Sequence, residues 1–141
     1  MRKMAKAIID YSFFKSLFDS DERNKEDAVI ELKIVNSYKY EILLPISVLY
    51  CTMNTRFKRK SYTLETLKEL LLKYKLILIN KEKCWSQSID DIFQHNYGQI
   101  ATPTLSEMEV RSIIQDDKEI DFLLTYKREK YSDLFKQVKT F

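Results

Sequence analysis

The stretch AIIDYSFF at residues 7–14 decides the expected fold, because it joins a short apolar run to a carboxylate. Lys6–Asp10 has the length of a buried strand with Asp10 at its carboxyl end, and a short helix is expected over Phe13–Phe18. Apolar runs of similar length recur at Glu41–Leu44, Leu76–Asn80 and Asp121–Tyr126. Continuous apolar runs, without strict alternation, are typical of parallel strands that are covered on both faces.

Helical patterns separate these strands. Helices are expected over Asn24–Tyr38, from Ser47 (as N-cap) to about Lys58, and over Tyr62–Lys75, Lys83–Tyr97, Thr104–Asp117 and Glu129–Val138. Alternation of strands and helices predicts an α/β fold, with a central parallel sheet of about four strands and helices on both faces. Ligands of such sheets sit outside the carboxyl ends of the strands, where Asp10 is expected.

Composition limits the classes of function. The 141 residues, 45% apolar and 32% charged, predict a single domain over residues 1–141. A single glycine, Gly98, excludes the glycine-rich nucleotide-binding loops, and a net charge of +3 allows a nucleic-acid partner without requiring one. No apolar run approaches the roughly 20 residues of a membrane span. Two cysteines are too few for a disulfide framework, so we expect a cytoplasmic protein.

A carboxylate on an apolar helix face is the next candidate. In the helix that begins at Thr104, Glu109 falls on the side of Leu105, Ser112 and Ile113, and the opposite, solvated face is expected to carry Glu107, Arg111 and Gln115. A buried carboxylate needs a cation, hydrogen bonds or a metal. The alternative is that Glu109 lies at the edge of the apolar stripe with its carboxylate in water.

The other polar candidates each have a structural alternative. Asp10 could simply cap a helix. The helix from Ser47 brings Cys51, Asn54 and Thr55 to one side, where small residues also suit a close helix contact. A basic run follows in the sequence: Arg56, Lys58, Arg59 and Lys60. Such a run is a solvated turn unless it borders an acidic cleft, in which case it contacts phosphates.

Four stretches together resemble the PIN-domain family, the compact nuclease domains of many bacterial toxin–antitoxin pairs and RNA-processing factors. Ala7–Phe14 looks like the opening strand, whose Asp is the first metal ligand. Leu43–Phe57 is similar to the second strand and its following helix, where the position of the family's Glu is occupied by Cys51.

The other two stretches lie in the last third of the chain. Thr104–Ile114 resembles the helix with the third acid of the family, and the register places that acid at Glu109. Ile120–Tyr131 looks like the last-strand motif. Its usual Asn or Asp positions are here Lys127 and Lys130, with Glu129 adjacent.

This resemblance implies an endoribonuclease in which carboxylates hold Mg²⁺ or Mn²⁺ and the ion activates water against an RNA phosphodiester. Asp10 and Glu109 are then the metal ligands, and Glu129 or a water-mediated polar group completes the shell. Asn54 and Thr125 are expected to orient water or substrate. RNA phosphates are expected to contact Arg56, Lys58, Arg59, Lys60 and Lys127.

Departures from the family pattern favour a second hypothesis. Cys51 removes a carboxylate, and a thiol is a poor ligand for Mg²⁺. Lys127 and Lys130 bring cations to positions where carboxylates help a metal to bind. The chain is then a catalytically inactive PIN-like module that binds RNA or a protein partner, such as a cognate antitoxin. A purely structural or oligomerisation domain, which could form a homodimer, is the third alternative.

Overall fold

A computed structural model describes residues 5–17, 22–56, 64–79 and 105–140. In these ranges the strands are β1 (Lys6–Ile9), β2 (Glu41–Pro45), β3 (Ile77–Ile79) and β4 (Ile120–Leu124). They form a four-stranded, all-parallel sheet in the order β3-β2-β1-β4. The predicted α/β fold with a parallel sheet of about four strands is therefore confirmed.

The helices of the described residues are α1 (Tyr11–Ser16), α2 (Glu22–Ser37), α3 (Ile46–Arg56), α4 (Leu64–Lys73), α5 (Leu105–Asp116) and a 3₁₀ helix (Arg128–Leu134). The prediction of Ser47 as an N-cap is wrong, because β2 ends at Pro45 and α3 begins with the next residue. Ser47 therefore lies in the first turn of α3. The helix predicted at Lys83–Tyr97 lies outside the described residues.

The core is formed by both faces of the central strands and by the apolar sides of the helices. Ala7, Ile8 and Ile9 of β1 are fully buried, and since successive strand residues point to opposite faces, the sheet is covered on both. The periodicity of α2 is confirmed, because its buried residues are Ala28, Leu32 and Val35. Within the described part of the chain, no helix has the length and hydropathy needed to span a membrane.

Two helices end at lysines in the left-handed conformation. Lys39 follows α2 with φ 60°, and Lys75 follows α4 with φ 52°. After α4, the Leu76 N–H reaches back to the Leu71 carbonyl over 3.0 Å, which closes the helix before β3 begins. Glycine adopts this conformation without steric cost, whereas a residue with a Cβ pays about 1–2 kcal/mol.

The carboxyl-terminal segment differs from its prediction. The helix predicted over Glu129–Val138 is shorter than expected, because this segment forms the 3₁₀ helix over Arg128–Leu134, then a turn and an extended residue. That residue, Lys139, pairs with the outer edge of β4: its N–H donates to the Asp121 carbonyl over 2.9 Å, and its carbonyl accepts from the Leu123 N–H over 2.8 Å. If an α-helix continued to Val138, too little extended chain would remain for this pairing. The pairing covers an otherwise open sheet edge.

Candidate functional site

Asp10 lies at the carboxyl end of β1 and its carboxylate is surrounded by donors. Oδ1 accepts hydrogen bonds from the Phe13 N–H over 2.9 Å and from the Ser12 hydroxyl over 2.7 Å, so Asp10 is the N-cap of α1. The Thr125 hydroxyl donates to Oδ2 over 2.6 Å. Burial raises the pKa of Asp10, and these hydrogen bonds oppose the rise.

A pocket of ≈ 210 Å³ opens beside this carboxylate. Three parts of the fold meet there: the end of β1 with α1, the first turn of α5, and the segment that follows β4. The lining residues are Asp10, Tyr11, Ser12, Lys15, Ser106, Glu107, Lys127, Lys130 and Tyr131. The pocket therefore lies at the carboxyl edge of the sheet, where the topology leads us to expect a ligand.

Glu107 is the second carboxylate of the pocket. The prediction that it lies on a solvated face is wrong, since only 8% of its surface is exposed. Burial raises the pKa of Glu107, nearby Lys130 and Arg111 lower it, and the charge of Asp10 raises it further. Asp10 and Glu107 are therefore close enough to influence each other's ionisation.

Glu109 faces the interior of the fold, as its place on the apolar side of the helix predicts, and the alternative with its carboxylate in water is wrong. Its surface is 0% exposed, and Oε1 accepts two hydrogen bonds from Ser47, one from the backbone N–H over 3.2 Å and one from the hydroxyl over 2.9 Å. The carboxylate therefore caps the first turn of α3, and burial raises its pKa. Glu109 is not among the residues that line the pocket with Asp10. The pocket acid of α5 is Glu107, two residues earlier than the predicted register.

Cys51 lies half-buried in α3. Burial raises the pKa of this thiol, a hydrogen bond with Ser106 lowers it, and the nearby charge of Glu109 raises it. The thiolate form, which is the nucleophile and metal ligand, is thus disfavoured. Cys51 does not line the pocket either.

The remaining predicted site residues divide into three groups. Thr125 and Lys127 belong to the pocket region, the first through its bond to Asp10 and the second as a lining residue. Glu129 is exposed on the 3₁₀ helix and is not a lining residue. No side chain is described for Asn54 and Arg56 of α3, and the described residues do not include Lys58, Arg59 and Lys60.

Among the described residues, no carboxylate lies within ion-pair distance of the pocket lysines. Across residues 5–17, 22–56, 64–79 and 105–140, the ion pairs within 4.0 Å engage Lys6 and Arg111. Lys15, Lys127 and Lys130 make none. The Lys15 ammonium lies 5.5 Å from the centre of the Tyr11 ring, a cation–π contact that holds it at the wall of the pocket.

Arg111 connects two walls of the pocket. Its Nη1 donates to both carboxylate oxygens of Asp133, over 3.0 and 2.9 Å, and its Nη2 donates to the Lys130 carbonyl. The guanidinium also lies 5.4 Å from the centre of the Tyr131 ring. Arg111 belongs to α5 and its three contacts to the 3₁₀ helix, so one side chain ties these two elements together.

Sequence reasoning missed Ser12, Lys15, Glu107 and Tyr131. A signal existed for Ser12, because Asp-x-Ser at the end of a strand is an N-cap followed by a further hydroxyl that can bond the same carboxylate. Tyr131 gave no such signal, since its place depends on the 3₁₀ geometry of its segment.

Neither the scan against protein-family models nor the search of curated proteins gives a match to this chain. The divalent cation that the PIN resemblance implies does not fit the donor set. Asp10 already accepts hydrogen bonds on both oxygens, and three lysines are among the residues that line the pocket that it shares with Glu107. The described residues contain no group of three or more His, Cys, Asp or Glu side chains that could hold a metal ion.

Proposed function

We propose that this chain is a PIN-like domain that binds RNA, with a backbone phosphate held in the pocket by Lys15, Lys127 and Lys130. The observation that carries the proposal is that three lysines line one concave site at the carboxyl edge of the sheet and that, among the described residues, none of them has a carboxylate within 4.0 Å. An ammonium without a carboxylate partner gains more from a phosphate than one that is already paired, because no existing ion pair has to break.

The two carboxylates have a structural part in this proposal. Three hydrogen bonds hold the Asp10 carboxylate, which joins the ends of β1 and β4. Lys130 and Arg111 partly offset the negative charge of Glu107. Three lysines against two carboxylates leave the lining of the pocket with a net positive charge, which suits an anion better than a divalent cation.

The test is RNA binding measured by fluorescence anisotropy with a labelled single-stranded oligonucleotide at several salt concentrations. Lys127→Ala and Lys130→Ala are expected to weaken binding, and each is expected to reduce the slope of log K against log salt by about 0.7. Lys118→Ala is the matched control, because Lys118 is exposed and precedes β4 at the opposite edge of the sheet. Equal losses for the control and the pocket variants would contradict the proposal.

A divalent-ion-dependent endoribonuclease is the second candidate. Its support is the electrostatic coupling between Asp10 and Glu107, which gives the pocket two interacting acids, as in many hydrolytic sites. Since the donor set does not fit the ion, we derive no catalytic step from it.

Incubation of RNA with the purified chain in Mg²⁺ or Mn²⁺ tests this second candidate. Cleavage that is lost in both Asp10→Asn and Glu107→Gln, and retained in Glu129→Gln, supports the nuclease. Cleavage that persists in both pocket variants indicates a contaminating activity and removes the candidate. Absence of cleavage with RNA binding intact leaves the binding module as the function.

A further inference from the structure

We propose that the pocket takes a phosphate monoester at the end of an RNA strand in preference to an internal phosphodiester; this inference rests on the RNA-binding function proposed above. A terminal phosphate carries nearly two negative charges at neutral pH, whereas an internal phosphodiester carries one. A terminal phosphate therefore brings about one more negative charge into the pocket than an internal phosphodiester does.

The cations around the pocket come from two sides. Lys15 projects from α1 and is held against the Tyr11 ring, while Lys127 and Lys130 come from the segment after β4. The Lys130 backbone is fixed by Arg111, and the Lys127 N–H donates to the Thr125 hydroxyl over 2.9 Å. Ammonium groups on opposite sides of a cavity can contact different oxygens of one phosphate, and a group with three terminal oxygens offers more of them than a diester does.

The size of the pocket supports the same conclusion. Its volume of ≈ 210 Å³ lies below the roughly 300–1,000 Å³ typical of small-molecule sites, so it accepts a phosphate group and its sugar but not two consecutive nucleotides. An internal phosphate enters only if the strand on both of its sides turns sharply out of the pocket. A terminal phosphate has a single strand to accommodate.

The Ser12 hydroxyl of the lining is already committed. It donates to Asp10 over 2.7 Å and accepts the Tyr126 N–H over 2.9 Å. The preference between ligands is therefore left to the lysines. The inference therefore predicts that end preference depends on ammonium groups and survives changes at lysines outside the pocket.

The experiment compares otherwise identical single-stranded RNAs with a 5′-phosphate, a 3′-phosphate or hydroxyl groups at both ends, each labelled at an internal base. We expect one phosphorylated end to bind at least about tenfold more tightly than the hydroxyl-ended RNA. Lys15→Ala and Lys130→Ala are expected to reduce that ratio to about one, and Lys118→Ala to leave it unchanged. Which phosphorylated strand binds more tightly identifies the end that enters the pocket.

The outcomes separate this inference from the function on which it rests. Equal affinity for all three RNAs, with binding still dependent on Lys127, overturns the end preference and keeps the RNA-binding module. An end preference that persists in both Lys15→Ala and Lys130→Ala also overturns the inference, because the preference then arises elsewhere. No binding of any RNA overturns the proposed function and the inference with it.

Discussion

The Thr125 hydroxyl lies 2.6 Å from Oδ2 of Asp10, a contact between residues that are 115 positions apart in the chain. It joins the carboxyl ends of β1 and β4, which are neighbours in the sheet. The same hydroxyl accepts the Lys127 N–H over 2.9 Å, so one threonine connects the buried carboxylate to the loop that carries a pocket lysine. Stability of the sheet edge and geometry of the pocket therefore depend on a single side chain.

Thr125→Val is expected to lower the free energy of unfolding by about 1–3 kcal/mol, because it removes a donor from a buried carboxylate and an acceptor from the Lys127 N–H. Urea denaturation at neutral pH measures the loss. Thr52→Val is the matched control: Thr52 is also buried, but its hydroxyl donates to the Val48 carbonyl, which the helix already satisfies. A loss no larger in Thr125→Val than in Thr52→Val would mean that the Asp10 contact contributes little.

The strands and most helices could be predicted because their signals are local. Apolar runs of four or five residues mark the strands, and the spacing of Ala28, Leu32 and Val35 marks the buried face of α2. Asp10 could be placed at the site because it directly follows a strand in a parallel sheet. These inferences need no knowledge of which elements become neighbours in space.

The site acid of α5 could not be predicted in the same way. The prediction of helix faces from sequence assumes that each helix has one buried stripe. In α5, however, Glu109 is buried against the start of α3 and Glu107 is buried beside the pocket. Residues two positions apart point to nearly opposite sides of a helix, so a helix packed on two sides hides both. Which of the two acids meets Asp10 depends on how α5 is rotated against α3, and this is a property of packing.

The pH dependence of stability follows from the three buried carboxylates, Asp10, Glu107 and Glu109. Burial raises the pKa of each above its ordinary value, so between the ordinary and the raised pKa the folded protein binds more protons than the unfolded chain. Stability is therefore expected to fall as the pH rises from about 4.5 through this window, by at most about 1.4 kcal/mol per pH unit for each carboxyl.

Glu109→Gln tests this sign at one residue. The amide oxygen can still accept from Ser47, and the charge that burial disfavours is gone, so the decline of stability with pH is expected to become shallower than in the unaltered protein. Urea denaturation at pH values from 4.5 to 8 measures the slope. Glu129→Gln serves as control, because Glu129 is exposed on the 3₁₀ helix. An unchanged slope in Glu109→Gln would show that Glu109 does not titrate in this window.

Arg111→Lys is expected to loosen the 3₁₀ helix more than it destabilises the fold. Asp133 is exposed, so the ion pair itself contributes no more than about 1 kcal/mol, but a lysine cannot reproduce the paired bonds to Asp133 together with the bond to the Lys130 carbonyl. Amide hydrogen exchange over Arg128–Leu134 is expected to accelerate, and RNA affinity to fall.

Lys6→Gln is the matched control for Arg111→Lys. It breaks ion pairs of Lys6 with Asp117 at 2.8 Å and Glu119 at 3.2 Å, at the amino-terminal end of the sheet. It is expected to leave exchange over the 3₁₀ helix and RNA affinity unchanged. If both variants accelerate exchange equally, the effect comes from general destabilisation and Arg111 does not position the pocket.

Replacement of the pocket cations by carboxylates is expected to create an affinity for metal ions. Lys127→Asp combined with Lys130→Asp changes the charge of the lining by four units and adds oxygen ligands beside Asp10 and Glu107, which Mn²⁺ prefers over amines. Isothermal titration with Mn²⁺ is expected to show binding at least about tenfold tighter than in the unaltered chain. The double change Lys118→Asp with Lys136→Asp alters the net charge equally at exposed positions that do not line the pocket. Equal Mn²⁺ affinity in the two double variants would mean that only net charge matters, and that Asp10 and Glu107 do not form the beginning of a metal site.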